Sequence, residues 1–316
     1  MLKKKWIVLL VISVFLTTVA GAIAKFLRKD NRPRVDVVLQ DINIQYWNIV
    51  RVGAEKGFRE LNINGKVVIP GKKSKKDELA YTLESILKEP PDVLVVAPNG
   101  SPAVMSILKK FVKNKIPVIL IDADIPLEHK TAYIGTDNFE LGKEAGELLA
   151  SKLQPGDEVA LPFFAEDLTH PTLSERIKGA LLSLEAAGIK VVNEQDQSSS
   201  IKKIITTILQ KHPDIKGVYA TTDLRAIETL EVIKEHGLTT PVVGSDGINE
   251  MLELIKDGML TDTVAQNPYD IGYISVETAS KVIKGEYVNE NIDTGLDIIS
   301  KDNAKLRFDF LRQLLK

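Results

Sequence analysis

From residue 34 onward the chain alternates between short runs of β-branched and aliphatic residues and longer stretches whose apolar positions recur at helical spacing. The strand-like runs are 35–40, 66–69, 93–97, 117–122 and 131–135, followed by a second set at 158–164, 190–194, 217–220, 241–244 and 262–265. Helical patterning fills 47–61, 75–88, 103–114, 139–153, 173–187, 201–211, 225–236 and 269–284. Regular alternation of this kind predicts an α/β fold, with parallel strands, crossover helices and both sheet faces covered. The punctuation agrees. Ser101-Pro102 reads as an N-cap with proline at the first helical position, and Asp137 with Glu140 has capping-box spacing. The two sets of strands read as two copies of one plan. In open α/β sheets ligands bind beyond the carboxyl ends of the strands, so two such units face to face would enclose one cleft.

The first segment follows a different pattern. Lys3-Lys4-Lys5 precedes an uncharged, largely apolar run over residues 6–24, and charge returns at Lys25 and Arg28-Lys29-Asp30. A basic head before an apolar run is the layout of a secretory signal, and Ala22-Ile23-Ala24 resembles a small-residue cleavage site. The run is also nearly the ~20 residues that span a bilayer as a helix. A cleaved signal and a retained membrane anchor are both open. Either places the rest of the chain outside the cytoplasm.

Composition narrows the function classes. Of 316 residues, 41 are Lys or Arg and 43 are Asp or Glu, for a formal charge of -2, so no cationic surface is set aside for nucleic acid. With no cysteine, the chain has no disulfide, no thiolate zinc site, no thiol nucleophile and no lipid-bearing cysteine. The four histidines, His129, His170, His212 and His236, show no metal-ligand spacing, and no cofactor motif is present.

Chemistry gathers just past the predicted strand ends, at Asn43, Gln45, Asn99, Asp122, Asp124, Thr222, Asp223, Asp246 and Gln266, with Tyr46-Trp47 after the first strand. Carboxylates that accept two hydroxyl protons, a forked arginine donor and an aromatic face for C–H surfaces suit a neutral polyhydroxylated ligand. Several motifs along the body carry a resemblance. They are Tyr46-Trp47 with Gly53-Ala54, Val95-Val96-Ala97-Pro98, residues 117–122 ending in Asp122, and residues 133–138. Glu175-Arg176 before Gly179, residues 242–247 around Asp246, and residues 264–268 with Ile271-Gly272 complete the set. In this order they resemble the type I periplasmic binding proteins of the ribose-binding, sugar-import class, over residues 36–302.

The resemblance implies two Rossmann-like lobes joined by a three-strand hinge. Residues 34–136 plus 267–295 would form the N-terminal lobe and 137–266 plus 296–316 the C-terminal lobe, with residues 1–33 as signal or anchor and linker. It also implies ligand contacts from Tyr46, Trp47, Asp122, Arg176, Thr222, Asp246 and Gln266. No catalytic or metal site and no cofactor is expected. The partners it implies are a monosaccharide, captured by hinge closure, and an ABC permease. A membrane sensor kinase is the alternative partner if the N-terminal segment stays in the membrane. The soluble part is expected to be a monomer.

The chain departs from the family's pattern at Ala97, where sugar binders often carry asparagine, and at Ala123, where ribose binders carry arginine. It also departs at Thr222-Asp223, where Asn-Asp is common, and in the loop around 195–200, which lacks an aromatic. Fewer donors than a ribose site suit a pentose of other stereochemistry, a deoxy sugar or a furanone-like ligand. An enzyme would need an acid–base partner for Asp122 and Asp246, which none of the motifs supplies. A transcription regulator would need an N-terminal helix-turn-helix where the apolar segment stands.

Overall fold

The computed structural model describes residues 17, 32–41, 43–71, 77–194 and 200–315. Arg34–Lys316 forms one compact unit. Apart from residue 17, the expected apolar helix of residues 6–24 lies outside the described residues, as does the loop 195–199. Among the described residues no helix is long and apolar enough to cross a membrane, and no cluster of His, Cys, Asp or Glu could hold a metal ion.

The alternation folds into two six-stranded sheets. The first contains β1 (Arg34–Val38), β2 (Asn64–Val68), β3 (Val93–Val96), β4 (Val118–Ile121), β5 (Ala132–Gly135) and β11 (Asn291–Asp293), in the order β2-β1-β3-β4-β5-β11, all parallel. The second contains β6 (Glu158–Ala160), β7 (Lys190–Val192), β8 (Gly217–Tyr219), β9 (Val242–Asp246), β10 (Asp262–Gln266) and β12 (Leu296–Ile299), in the order β7-β6-β8-β9-β10-β12. Only β12 runs antiparallel. Each sheet reverses its winding at one point, between β1 and β3 and between β6 and β8, which is where open α/β sheets bind ligands.

The helices are α1 (Gln45–Glu60), α2 (Glu78–Lys88), α3 (Pro102–Lys113), α4 (Asn138–Ala150), α5 (Leu173–Ala186), α6 (Ile201–Lys211), α7 (Asp223–Glu235), α8 (Asn249–Lys256), α9 (Pro268–Ile283) and α10 (Ala304–Leu314). Their local signals are those the sequence carries. Ser101 Oγ accepts from Val104 N at 3.2 Å, and Asp137 Oδ1 accepts from Phe139 N and Glu140 N at 3.0 Å each. Alternation along β1 sorts Val35, Val37 and Leu39 to the face under α1 and α9, and Val38 to the opposite face, against α2 and α3. The one acid in that strand, Asp36, is fully buried and paired with Arg34 at 3.0 Å and Lys66 at 3.5 Å.

Two helix pairs bring backbones into direct contact. A Cβ on Gly53 (α1) would overlap the Tyr269 carbonyl oxygen on α9, and one on Gly272 (α9) would overlap that of Val50 on α1. Gly142 on α4 and Gly179 on α5 stand in the same reciprocal relation to Arg176 and Phe139. Only a hydrogen fits at these four positions, which explains the Gly-Ala and Ile-Gly marks noted in the sequence.

The chain passes between the sheets three times, after β5, after β10 and between β11 and β12. The passages are tied to one another. Thr294 N donates to Gly135 O at 2.8 Å, Asn267 Nδ2 donates to Thr294 O at 3.1 Å, and Arg307 Nη2 donates to Gln266 O at 2.7 Å and Asn267 Oδ1 at 3.0 Å.

Several expectations need correction. The strand expected over 158–164 stops at Ala160, because residues 161–164 turn away into a 3-10 segment, Ala165–Thr169. The strand expected to end at 244 continues to Asp246. Strands β11 and β12 and helices α8 and α10 were not anticipated. The two strands are three- and four-residue segments with polar, exposed positions, stabilised by pairing rather than by their own pattern.

Candidate ligand-binding site

Three strands of the two sheets, β4, β9 and β10, end in polar side chains that meet. In the first lobe Asp122 follows β4 at φ +67°, and Ala123 N donates to Ile121 O at 2.7 Å across it. This is a γ-turn in its rarer, strained form, tolerated by aspartate and aimed by it. Tyr46, in the first turn of α1, donates its hydroxyl toward Asp122 Oδ1 at 2.7 Å. In the second lobe Asp246 ends β9 at φ +123°, another backbone conformation unfavourable for a residue with a side chain. The fully buried Asp223 holds that turn. Its Oδ2 accepts from Gly247 N at 2.6 Å and Ile248 N at 2.9 Å, while Oδ1 accepts from Thr263 Oγ1 at 2.6 Å.

Arg176, on α5 and 3% exposed, reaches into the same place. Its Nη1 donates to Asp246 Oδ1 at 2.9 Å and to the Thr221 carbonyl at 2.8 Å, and its Nε donates to Asn138 Oδ1 at 2.9 Å. Gln266, ending β10, donates from Nε2 to Asp246 Oδ1 at 2.8 Å and turns Oε1 toward the Tyr46 hydroxyl, 3.3 Å away across the lobes. The lobes also touch where Asn249 N donates to Gln45 Oε1 at 2.7 Å and where Ile49 of α1 joins the core of the second lobe. The network Asp122–Tyr46–Gln266–Asp246–Arg176 therefore runs continuously from one sheet to the other.

The electrostatics follow from burial among opposite charges. Burial pushes the Asp122 carboxyl up to about 6, against the Tyr46 hydrogen bond and the Arg176 charge. Burial works against the charge of Arg176, but Asp246 and its neighbours outweigh it and hold the guanidinium above its ordinary range. Burial, and then the charge of Asp246, raises Asp223 to about 7. Tyr46 is raised well above its ordinary value by burial and by Asp122, so it is a neutral hydroxyl at physiological pH.

The sequence profile of the periplasmic binding protein domain matches residues 35–287. This chain belongs to the periplasmic binding protein family. Among its relatives, the ribose import binding protein RbsB of Bacillus subtilis (strain 168) is 26% identical over 306 residues, covering 94% of this chain and 99% of that protein. RbsB of Salmonella typhimurium is 29% identical over 273 residues, covering 84% and 90%. Of solved structures, GanP, a glucose-galactose binding protein from Geobacillus stearothermophilus, superposes with a TM-score of 0.79 at 25% identity, covering 87% of this chain and 99% of that one. A carbohydrate transporter solute binding protein from Agrobacterium radiobacter, in complex with D-arabinose, gives 0.78 at 25% identity, covering 91% and 100%. This periplasmic binding protein is of the type I, ribose-binding-like class, and like its relatives it is a binding protein, not an enzyme.

Of the seven candidate contacts read from the sequence of this periplasmic binding protein, Tyr46, Asp122, Arg176, Asp246 and Gln266 stand in the one network. Trp47 does not. It is 5% exposed, packed in the first lobe's core with its ring edge-on to Tyr46 at 5.0 Å. Thr222 is also outside the network. Its hydroxyl accepts from Arg225 N at 3.3 Å and caps α7, as a threonine before a helix commonly does. Sequence reasoning missed Asn138 and the Thr221 carbonyl, which hold Arg176, and the role of Asp223 as the support of the Asp246 turn. It also missed Arg225, whose guanidinium forks onto Asp167 at 2.6 and 2.9 Å and lies 5.0 Å over the Phe164 ring. This clamp fixes the segment Ala165–Thr169. With His170, that segment faces Asn99 and Met105 of the other lobe across a cleft of about 470 Å³. A pair of residues far apart in sequence leaves no local pattern by which either could be found.

Proposed function

We propose that this protein captures a monosaccharide outside the cytoplasm and hands it to an ABC importer. The observation that carries the reading is the polar chain that joins Asp122 and Tyr46 of one lobe to Gln266, Asp246 and Arg176 of the other. Each lobe brings a carboxylate to the strand ends. A ring with several hydroxyls can donate to both, so the ligand-bound state favours closed lobes. The three tied passages between the sheets are the hinge of that closure. The residue assignments extend the sugar-binding and import roles of the relatives to this chain, and they agree with the chemistry of the site. The sensor-kinase alternative is not favoured, since these relatives carry import or solute-binding roles.

The test is a thermal-shift screen of the full chain against aldopentoses, aldohexoses and their deoxy forms, with Asp246→Asn alongside. Ligand at a hundredfold excess over Kd stabilises by about 2.7 kcal/mol. One or more sugars should raise Tm by several degrees in the natural protein and leave the variant unmoved. A panel in which no monosaccharide raises Tm, or a variant that keeps the full shift, refutes the reading.

A further inference from the structure

Tyr46 does something in this site that an aromatic wall would not. Its ring is held edge-on by Trp47 and only 6% of the residue is exposed. Its hydroxyl lies 2.7 Å from Asp122 Oδ1 in its own lobe and 3.3 Å from Gln266 Oε1 in the other. Both neighbours are acceptors. The phenol has one hydrogen to give, and the shorter contact assigns it to Asp122 Oδ1; a hydroxyl donating to a carboxylate is also what a sugar ring presents. A cross-lobe position that a ligand hydroxyl would take is therefore already filled by the protein. Among the described residues, Asp122 Oδ2 and Asp246 Oδ2 have no hydrogen-bond partner, so each lobe keeps one carboxylate oxygen for the ligand. The buried Ala97 and Ala123 bring no further side-chain donor or acceptor.

We propose that Tyr46 is a specificity residue whose phenol stands in for one ligand hydroxyl between Asp122 and Gln266, so that the site selects a deoxy monosaccharide. This rests on the sugar-capture reading and refines it. A fully hydroxylated sugar in the same pose must either push the phenol aside, against the packing of its ring on Trp47, or bury a hydroxyl with no partner. A sugar carrying hydrogen or methyl at that carbon does neither, and spends its remaining hydroxyls on the two free carboxylate oxygens. A buried polar group left without its partner weakens binding by about tenfold or more.

The experiment is isothermal titration of the full chain and of Tyr46→Phe with matched pairs: D-ribose and 2-deoxy-D-ribose, D-galactose and 6-deoxy-D-galactose, D-glucose and 2-deoxy-D-glucose. The phenylalanine keeps the ring and vacates one oxygen's space. In at least one pair the natural protein should prefer the deoxy member, and Tyr46→Phe should shift the affinity ratio toward the hydroxylated member by about tenfold. Ratios unchanged in every pair overturn the proposal. Equal weakening of both members also overturns it, since the phenol would then be a contact for the ligand itself. If neither protein binds any of the sugars, the capture reading falls and takes this inference with it. That outcome is distinct from sugar binding with unchanged ratios.

Discussion

Replacing Arg176 with methionine keeps most of the side chain's length and removes its charge and donors. Three acceptors then lose a partner: Asn138 Oδ1, the Thr221 carbonyl and Asp246 Oδ1. An unpaired buried acceptor costs about 1–3 kcal/mol, and removing one member of a buried ion pair costs about 3–5 kcal/mol. These penalties do not add, because they arise from one side chain. The Asp246 side chain keeps 17% of its exposure, so water recovers part of its solvation. The methionine also regains some apolar burial. The net expected loss is about 3 kcal/mol. Equilibrium urea unfolding followed by far-ultraviolet circular dichroism measures it, with Asp246→Asn and the double variant completing a cycle. A coupling of about 1.5–3 kcal/mol between the two sites is expected for a charge-assisted hydrogen bond. A single-variant loss below about 1 kcal/mol, or strict additivity, would refute a stabilising role for the buried Arg176–Asp246 pair.

Two further outcomes follow from the same geometry. Asp122, raised to about 6 from 3.8, holds a proton in the folded chain that the unfolded chain releases. The folded state therefore gains stability, relative to Asp122→Asn, as pH falls from about 6 to about 4, and sugar affinity falls over the same interval because the charged acceptor is lost. A Tm difference between the two proteins that stays flat from pH 7.5 to pH 4.5 would contradict this (roughly the window set by the two values). Gly53→Ala and Gly272→Ala each force a methyl into a facing carbonyl oxygen. Each should cost about 3 kcal/mol and lower Tm by about 5 °C or more in calorimetry. A shift within a degree would mean that α1 and α9 separate at little cost.

How much of this was legible beforehand can be judged residue by residue. The alternation of buried strands and amphipathic helices, the caps at Ser101 and Asp137 and the glycines of the two helix pairs are local patterns with local physical causes. They established the α/β class and the order of nearly every element. The carboxylates at 122 and 246 were findable through the motifs around them, because an aspartate past a strand end by itself is as readily a helix cap, as Asp137 is. Whether a side chain faced the network or the core was not findable. Tyr46 and Trp47 are adjacent, equally aromatic and equally buried, and only the direction of the first turn of α1 separates the hydroxyl that bridges the lobes from the indole that fills one of them. Thr222 and Thr221 are separated in the same way, one capping a helix and the other lending a carbonyl to Arg176. The bonds by which Asp223 holds the Asp246 turn span 24 and 25 residues, and the clamp of Arg225 on Asp167 spans 58. Strands β11 and β12, too short and too polar to announce themselves, form only because the edges of two finished sheets are there to receive them. What the sequence determined by itself was periodicity, and hence which elements form. What the tertiary structure alone decided was which polar groups meet, because hydrogen bonds between distant strand ends depend on packing that no window of the chain contains.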